Sequence, residues 1–171
     1  KEDLNYRTNS KLGLGLGFTY KALTLNVAYG FNFLNPEKGK GETKGIDLQV
    51  HLYPKKWAID ATAAFLHGYY LDPQDYNGLN LSDYYLRPDL QRNVMGISAY
   101  HLSNAERFSY KAAFTQRDMQ IKSAGTLLYG GEIHYGVVRG DSALVPFNAS
   151  HDYVQAGIDK ILFFGIGPGI G

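Results

Sequence analysis

Two stretches near the start of this chain alternate apolar residues with small or polar ones, and only a short turn separates them. The first has apolar side chains at every second position, namely Leu12, Leu14, Leu16, Phe18 and Tyr20. The second repeats the pattern from Leu23 to Phe33. A period of two is typical of a β-strand with one apolar face. Strands of globular domains usually contain ~5–6 residues, whereas a strand that spans a bilayer needs ~9–11. The long alternation and the short turn therefore favour a transmembrane β-barrel.

The composition of the 171-residue chain excludes several other classes of protein. Because there is no cysteine, neither a disulfide framework nor a thiolate metal site is available. A formal net charge of +1 gives no electrostatic reason to expect nucleic acid as a partner. No apolar run is long enough for a membrane-spanning helix. The 14 tyrosines suit a membrane–water boundary, where one end of the side chain is apolar and the other is hydrated.

Further segments with the same period extend the pattern along the chain. We predict an all-β fold, an antiparallel up-and-down transmembrane β-barrel of which about eight strands are visible. The predicted strands cover residues 11–20, 22–33, 44–53, 57–67, 92–102, 107–117 and 125–138, and the last begins near Asp152 or later. Both faces of the 92–102 segment carry apolar residues, so its pattern is less decisive than the others.

The lengths of the connections predict an orientation. The turns near residues 21, 55 and 104 are short and the connections at 34–43 and 67–91 are long, whereas outer-membrane barrels have short periplasmic turns and long external loops. The first strand would then run inward from the outside, so we expect a further strand before Lys1. An unfinished strand at Gly171 indicates missing residues there too. We predict a single domain over residues 1–171, incomplete at both ends and part of a larger barrel.

The polar faces of these strands predict which residues line the barrel interior. Six polar side chains share the inward parity: Asp47, Gln49, His51, Asp60, Glu132 and His134. The alternative is a soluble barrel with an apolar interior, as in lipocalins. The inward face is rich in Gly, Ala, Asn, Thr and Asp and is too polar for a dry core, which favours the membrane barrel. We predict neither a metal site nor a cofactor.

One short segment, His101-Leu102-Ser103, is a candidate for catalysis. Its histidine and serine are two positions apart and would share one face of a strand, where an imidazole can activate a hydroxyl. The pattern is similar to the His-x-Ser-Asn of outer-membrane phospholipases and lipid A deacylases. The predicted orientation, however, places it at a periplasmic turn, and that chemistry needs the outer leaflet. Because Ser103 and Asn104 are also ordinary turn residues, we favour a structural role.

The long segment from His67 to Gln91 is the best candidate for a binding surface. It has no sustained period and is rich in tyrosine and aspartate. Tyrosine supplies contact area at a low entropic cost and is enriched at recognition surfaces. The external-loop binding candidates are Tyr69, Tyr70, Tyr76, Tyr84 and Tyr85. An ordinary external loop folded over the barrel mouth is the alternative.

Several short blocks of the chain resemble a family of outer-membrane β-barrel proteins from Bacteroidetes-type bacteria, domain of unknown function 4421. The blocks are Tyr6-Arg7-Thr8-Asn9, Gly13 to Tyr20 followed by Lys21, Phe108 to Phe114, Gln120 to Gly125, and Gly165 to Gly171. Thr8 departs from the pattern, in which a proline is expected after a basic residue. The resemblance implies a Gram-negative outer-membrane location and strands before and after this region. It implies no activity, substrate or catalytic residue.

We therefore expect a non-enzymatic outer-membrane protein that serves as an accessory or surface component of an envelope protein complex. Its expected partners are outer-membrane lipid and lipopolysaccharide, and other outer-membrane or periplasmic proteins. Three alternatives stay open: a small-solute pore, a lipid hydrolase that uses His101 and Ser103, and a soluble ligand-binding β-barrel. A pore requires many strands, because side chains fill the interior of a barrel with ~8 strands whereas ~16–18 strands leave a channel.

Overall fold

A computed structural model describes residues 4–9, 13–30, 37–75, 83–115, 118–142, 144 and 158–170 of the chain. Within these residues most of the regular structure is β. The strands are β1 (Tyr6–Arg7), β2 (Gly13–Tyr20), β3 (Leu23–Gly30), β4 (Lys44–Leu52), β5 (Trp57–Leu71), β6 (Tyr85–Leu102), β7 (Leu127–Arg139) and β8 (Ile158–Ile170). A 3-10 turn covers Pro73–Asp75, and a short helix, α1 (Tyr110–Thr115), lies between β6 and β7.

All these strands belong to one antiparallel sheet. The strands from β2 to β8 pair in sequence order, and β1 pairs separately with β5. The predicted all-β, up-and-down order is therefore confirmed. In the described part of the chain β2 pairs only with β3 and β8 only with β7, so the sheet is open and not closed into a barrel. Among the same residues, no helix has the length and apolar character needed to cross a membrane.

The β2–β3 hairpin shows how the sequence sets the register of the sheet. Tyr20 pairs with Leu23, so two residues form the turn. Lys21 has a φ of 52°, in the left-handed region that two-residue hairpin turns require. The pairing then runs without a break to Gly13 opposite Gly30. This register places the leucines and aromatic residues of both strands on one side of the sheet.

The apolar side chains of the long strands share that side, here called the apolar face. Registers between neighbouring strands align them in lateral rows, one of which contains Phe18, Leu25, Val50, Ala61, Ile97, Ile133 and Phe164. Many of these side chains are exposed, from 36% for Val27 to 80% for Leu16. The other side, the polar face, carries the small and polar residues. An antiparallel sheet in water normally turns its apolar face toward a core, whereas many side chains on the apolar face of this sheet are exposed.

The sheet has two different ends. At the short-turn end lie the turns at 21–22 and 53–56 and the segment that follows β6; the long connections lie at the long-loop end. There β5 and β6 extend beyond β4, after an irregularity in the pairing at Gly68, where φ is 87°. β1 takes the place of β4 beside this extension, with Tyr6 opposite Leu71. Leu71 is fully buried, so the long-loop end has a core of its own.

Asn9 fixes the connection between β3 and β4 against the chain that precedes β2. Its side-chain amide donates to the carbonyl oxygens of Glu37 and Gly41, at 3.0 and 2.7 Å, and accepts from the N–H of Glu37 at 3.1 Å. The N–H of Asn9 donates to the Thr43 hydroxyl, which in turn donates to the carbonyl of Gly68. Asn9 and Thr43 are both buried, so these bonds are shielded from water.

Seven of the eight predicted strands are present, with ends that differ by several residues. β5 continues to Leu71 and β6 begins at Tyr85, so the connection between them is shorter than the predicted loop at 67–91. The two-residue β1 was not predicted. Residues 11–12 and 31–33 of the first two predicted strands, and residues 152–157 of the last, lie outside the described residues.

The predicted strand at 107–117 is wrong. Tyr110–Thr115 forms α1 instead. The Ser109 hydroxyl accepts a hydrogen bond from the N–H of Ala112, which is the geometry of an N-cap. Tyr110 and Phe114 lie four residues apart on the helix, and their rings stack with centroids separated by 4.3 Å. Apolar residues at 110, 112 and 114 satisfy a strand period, but 110 and 114 also satisfy the helical one.

Candidate functional site

The six polar residues predicted to face the barrel interior all lie on the polar face. His51 of β4 pairs with Asp60 of β5, Asp60 with Ser98 of β6, and Ser98 with Glu132 of β7. The adjacent row contains Gln49, Thr62, Gly96 and His134. Asp47 lies one row further toward the long-loop end. These registers place all six residues on one face, and their position inside a closed barrel stays a prediction.

Three side chains near the short-turn end form the tightest polar group on this face. Nδ1 of His51 lies 2.6 Å from Oδ1 of Asp60, and the Tyr53 hydroxyl donates to the same oxygen at 2.5 Å. The Tyr53 hydroxyl also lies 3.3 Å from Nδ1 of His51. With a proton on Nδ1, the imidazole donates to the carboxylate as well. Asp60 is therefore held between an imidazole and a phenol.

Tyr53 follows the end of β4 and acts as a neutral donor in this group. Partial burial, followed by the hydrogen bond to Asp60, raises the pKa of the Tyr53 phenol above its ordinary value. Burial also raises the pKa of Tyr110, with a smaller contribution from the charge of Asp60. Both phenols keep their protons at neutral pH. As neutral phenols, both side chains can donate hydrogen bonds.

The chain between β6 and β7 covers this group and is called the cover segment, residues 103–115 and 118–126. It brings Tyr110 of α1 against Tyr53, with ring centroids 5.0 Å apart in an edge-to-face arrangement. Asn104 fixes its base, because the Asn104 N–H donates to the Thr126 hydroxyl at 3.1 Å and the side-chain amide donates to the carbonyl of Gly125 at 2.9 Å. A small buried apolar cluster joins the cover segment to the sheet: Ala58, Leu102 and Ala105, flanked by Phe108 and Leu128.

Two further polar pairs lie on the same face. The Gln49 amide donates to Asp47 Oδ1 at 2.9 Å, and Nε2 of His134 lies 3.4 Å from a carboxylate oxygen of Glu132. The His134 ring occupies the space above Gly96, where an added Cβ would lie 2.2 Å from Nδ1. Across the described ranges, no three His, Cys, Asp or Glu side chains are grouped so that they could hold a metal ion. The described part of this face therefore offers paired hydrogen bonds.

The predicted placement of His101 and Ser103 on one strand face is wrong. β6 ends at Leu102, so Ser103 lies in the following turn. The His101 ring lies on the apolar face, with centroids 5.0 Å from Trp57 and 4.8 Å from Tyr129. The Ser103 hydroxyl accepts a hydrogen bond from the N–H of Leu127 at 3.1 Å. These contacts give the imidazole a packing role and the hydroxyl a role in joining β6 to β7.

The predicted external loop places several of its tyrosines wrongly. Tyr69 and Tyr70 lie in β5 and are buried, and Tyr85 is the first residue of β6. Tyr84 lies outside the strands, and its ring packs against Tyr70 with centroids 5.6 Å apart. Tyr76 lies outside the described residues. The hairpin formed by β5 and β6 buries the rings of Tyr69 and Tyr70. A binding role for the five tyrosines stays a prediction.

The sequence patterns did not predict an ion pair at the long-loop end in which the arginine is buried. The side chain of Arg87 is 3% exposed and bonds to both carboxylate oxygens of Asp89, at 2.9 and 2.8 Å. Arg87 also donates to the carbonyl of Ser142, and Asp89 accepts from the N–H of Asp141. The pair thus fixes the chain that follows β7. Opposite charges two positions apart in a strand share a face, which was the available signal.

Fold and site define this protein as an all-β antiparallel meander with one apolar and one polar face. The chain belongs to the family described as Domain of unknown function (DUF4421), whose family model matches residues 1–171. The family membership that the short sequence blocks predicted is thereby confirmed. No match was found among curated proteins or among solved structures.

Proposed function

We propose that this chain forms part of the wall of an outer-membrane β-barrel and serves as a non-enzymatic accessory or surface component of an envelope protein complex. The observation that carries the proposal is the exposed apolar face, which continues from β2 to β8. Soluble monomers rarely expose contiguous apolar patches of more than a few hundred Å². In a membrane barrel this face contacts lipid, and the lipid would include lipopolysaccharide in the outer leaflet.

The borders of the apolar face support contact with a bilayer. At the short-turn end Trp57, His101 and Tyr129 form one row; at the long-loop end the row is Lys44, His67, Gln91 and Arg139. The two rows are ten residues apart in β5, from position 57 to position 67. That spacing corresponds to ~33 Å along a strand and to a height of ~25 Å at a tilt of ~40°. The apolar band of outer-membrane barrels is ~25 Å tall, with aromatic residues at its borders.

The strand directions support a larger barrel. Because the pairing from β2 to β8 is antiparallel throughout, β2 and β8 run in the same direction. They cannot pair with each other in an antiparallel barrel, so closure needs an odd number of additional strands between them. Closure also removes the two edges, which otherwise present unpaired backbone groups that are costly in lipid. The open sheet is therefore one section of the proposed barrel.

The polar face supports a role without catalysis or conduction. Its tightest group, Asp60 with His51 and Tyr53, satisfies its own hydrogen bonds. The cover segment lies over this face at the short-turn end and would narrow the passage of solute through the interior. In planar bilayers the complete barrel is expected to give no steady ion current, and a steady current would replace this proposal with the pore.

The single tryptophan of the chain, Trp57, tests the membrane placement directly. Trp57 is 43% exposed and lies in the row that borders the apolar face. The full chain is reconstituted in phosphatidylcholine vesicles that carry a nitroxide either near the headgroup or near the end of the acyl chain. We expect stronger quenching by the shallow nitroxide. If neither nitroxide quenches Trp57, the apolar face is not in lipid and the proposal fails.

The complex-forming part of the proposal has its own test. Membranes that contain the chain are extracted in mild detergent, cross-linked and separated by size, and the cross-linked species are identified by mass spectrometry. The proposal predicts that the chain is linked to a defined envelope protein through lysines outside the apolar face. A chain recovered only as a free species would contradict an accessory role while leaving the membrane placement intact.

A further inference from the structure

A cleft of about 550 Å³ lies at the short-turn end, between the β2–β3 turn, the turn after β4 and the cover segment. Clefts that hold small ligands usually measure ~300–1,000 Å³, so this one has room for a small organic molecule. Part of its wall is aromatic and consists of Tyr53, Phe108 and Tyr110. Tyr53 and Tyr110 are fixed by their contact with each other, and Tyr53 also by its bond to Asp60. This wall is therefore pre-formed.

The charges around the cleft are unequal. Four cationic and two anionic side chains line it: Lys21, Lys55, Arg107, Lys111, Glu106 and Asp118. Lys55 forms an ion pair with Glu106, and the Lys111 ammonium lies 3.9 Å from Asp118. If each carboxylate is balanced by one cation, the charges of Lys21 and Arg107 remain in excess. The Lys21 ammonium lies 5.2 Å from the centre of the Tyr20 ring, an exposed and therefore weak contact that a stronger partner can replace.

We infer that this cleft binds a phosphate group carried by a small organic ligand. An excess of two positive charges complements a phosphate ester, whose charge at neutral pH lies between about −1 and −2. The guanidinium of Arg107 offers the planar fork of donors that matches phosphate oxygens, and Lys21 adds a mobile point charge. The aromatic wall supplies contact for the part of the ligand that carries the phosphate. The inferred phosphate site does not depend on the apolar face, so a test of the membrane placement does not decide whether the site exists.

The phosphate has two possible sources, a soluble phosphate ester or the headgroup of an anionic lipid. Binding is measured by isothermal titration calorimetry on the full chain in a neutral detergent. The probes are sn-glycerol 3-phosphate, dihexanoyl phosphatidylglycerol and, as the zwitterionic comparison, dihexanoyl phosphatidylcholine. Binding of glycerol phosphate identifies a site for the phosphate group itself. Binding of phosphatidylglycerol alone identifies a lipid-headgroup site. Both results support the inference, and both affinities should fall with added salt because the attraction is ionic.

A double variant, Lys21→Gln with Arg107→Gln, removes the two excess charges. We expect it to weaken binding of the phosphate probe at least about tenfold, because charge-assisted hydrogen bonds to the phosphate are lost. The matched control is Lys56→Gln, which changes a lysine in the same turn as Lys55 that does not line the cleft. Circular dichroism checks that the β-sheet is unchanged in both variants. The inference is overturned if neither phosphate probe binds, or if the double variant and the control bind equally well.

Discussion

Replacing Ile97 by lysine separates a lipid-facing apolar surface from a hydrated one. Ile97 is 51% exposed and lies near the middle of the apolar band, four residues from His101 and six from Gln91. A lysine at the midplane of a bilayer costs about 2–4 kcal/mol, which is a factor of roughly 30 to 700 in the folding equilibrium. On a hydrated surface the same change would stay within about 0.5 kcal/mol. The two environments therefore predict effects that do not overlap.

The assay is a reversible urea titration of the chain in phosphatidylcholine vesicles, followed by the fluorescence of Trp57. The matched control is Ser98→Lys, one residue further along β6 but on the polar face between Asp60 and Glu132. Its new ammonium lies beside two carboxylates, so we expect little or no loss of stability. If Ile97→Lys costs no more than Ser98→Lys, lipid does not cover the apolar face and the reasoning is refuted.

Three other substitutions test separate parts of the structure. Leu71→Ala should lower the free energy of unfolding by about 2–5 kcal/mol in the same titration because Leu71 is fully buried. The control is Leu86→Ala, at a residue that is 43% exposed. If the two variants lose equally little stability, there is no core at the long-loop end. Asn9→Ala should lower the free energy of unfolding by on the order of 1–3 kcal/mol and speed proteolytic cleavage within residues 37–43, because backbone groups of Glu37 and Gly41 lose their partners. An unchanged cleavage rate would show that Asn9 does not hold this segment in place. Ser103→Ala should leave any background hydrolysis of a chromogenic ester unchanged, and an activity that disappears in this variant would restore the hydrolase.

The period of two was sufficient to predict the strands that have one apolar and one polar face. β2, β3 and β4 follow it closely in sequence, and in β3 the exposure of the side chains alternates with the same period. The same period placed Asp47, Gln49, His51, Asp60, Glu132 and His134 on one face, and the strand registers align them on one side of the sheet. Their position inside a barrel stays a prediction. Parity in a strand is fixed by backbone geometry, so this part of the site could be read without any knowledge of packing.

The sequence could not predict the elements whose surroundings come from distant parts of the chain. Tyr69, Tyr70 and Leu71 are buried in succession because β1 and neighbouring connections enclose the β5 extension, so no alternation marks it. Over the six residues of α1 the apolar positions fit both the strand period and the helical period. In the folded chain this segment is a helix, and Tyr110 of the helix packs against Tyr53. Because this segment was predicted to be a strand, the cleft was not predicted either: the cleft forms where the cover segment folds back on the β2–β3 turn and the turn after β4. The Ser109 N-cap was the local signal for the helix.

Two adjacent residues of β6 test the central claim that lipid covers one face and not the other. Met95 lies on the apolar face, 44% exposed, and Val94 lies at nearly the same depth on the polar face, opposite Ala64 and Gly136. Met95→Trp and Val94→Trp are each made in a Trp57→Phe background and reconstituted with acyl-chain nitroxides. If lipid covers only the apolar face, the tryptophan at position 95 is strongly quenched and the one at position 94 is quenched little. Equal quenching at both positions, or stronger quenching at position 94, would contradict that claim.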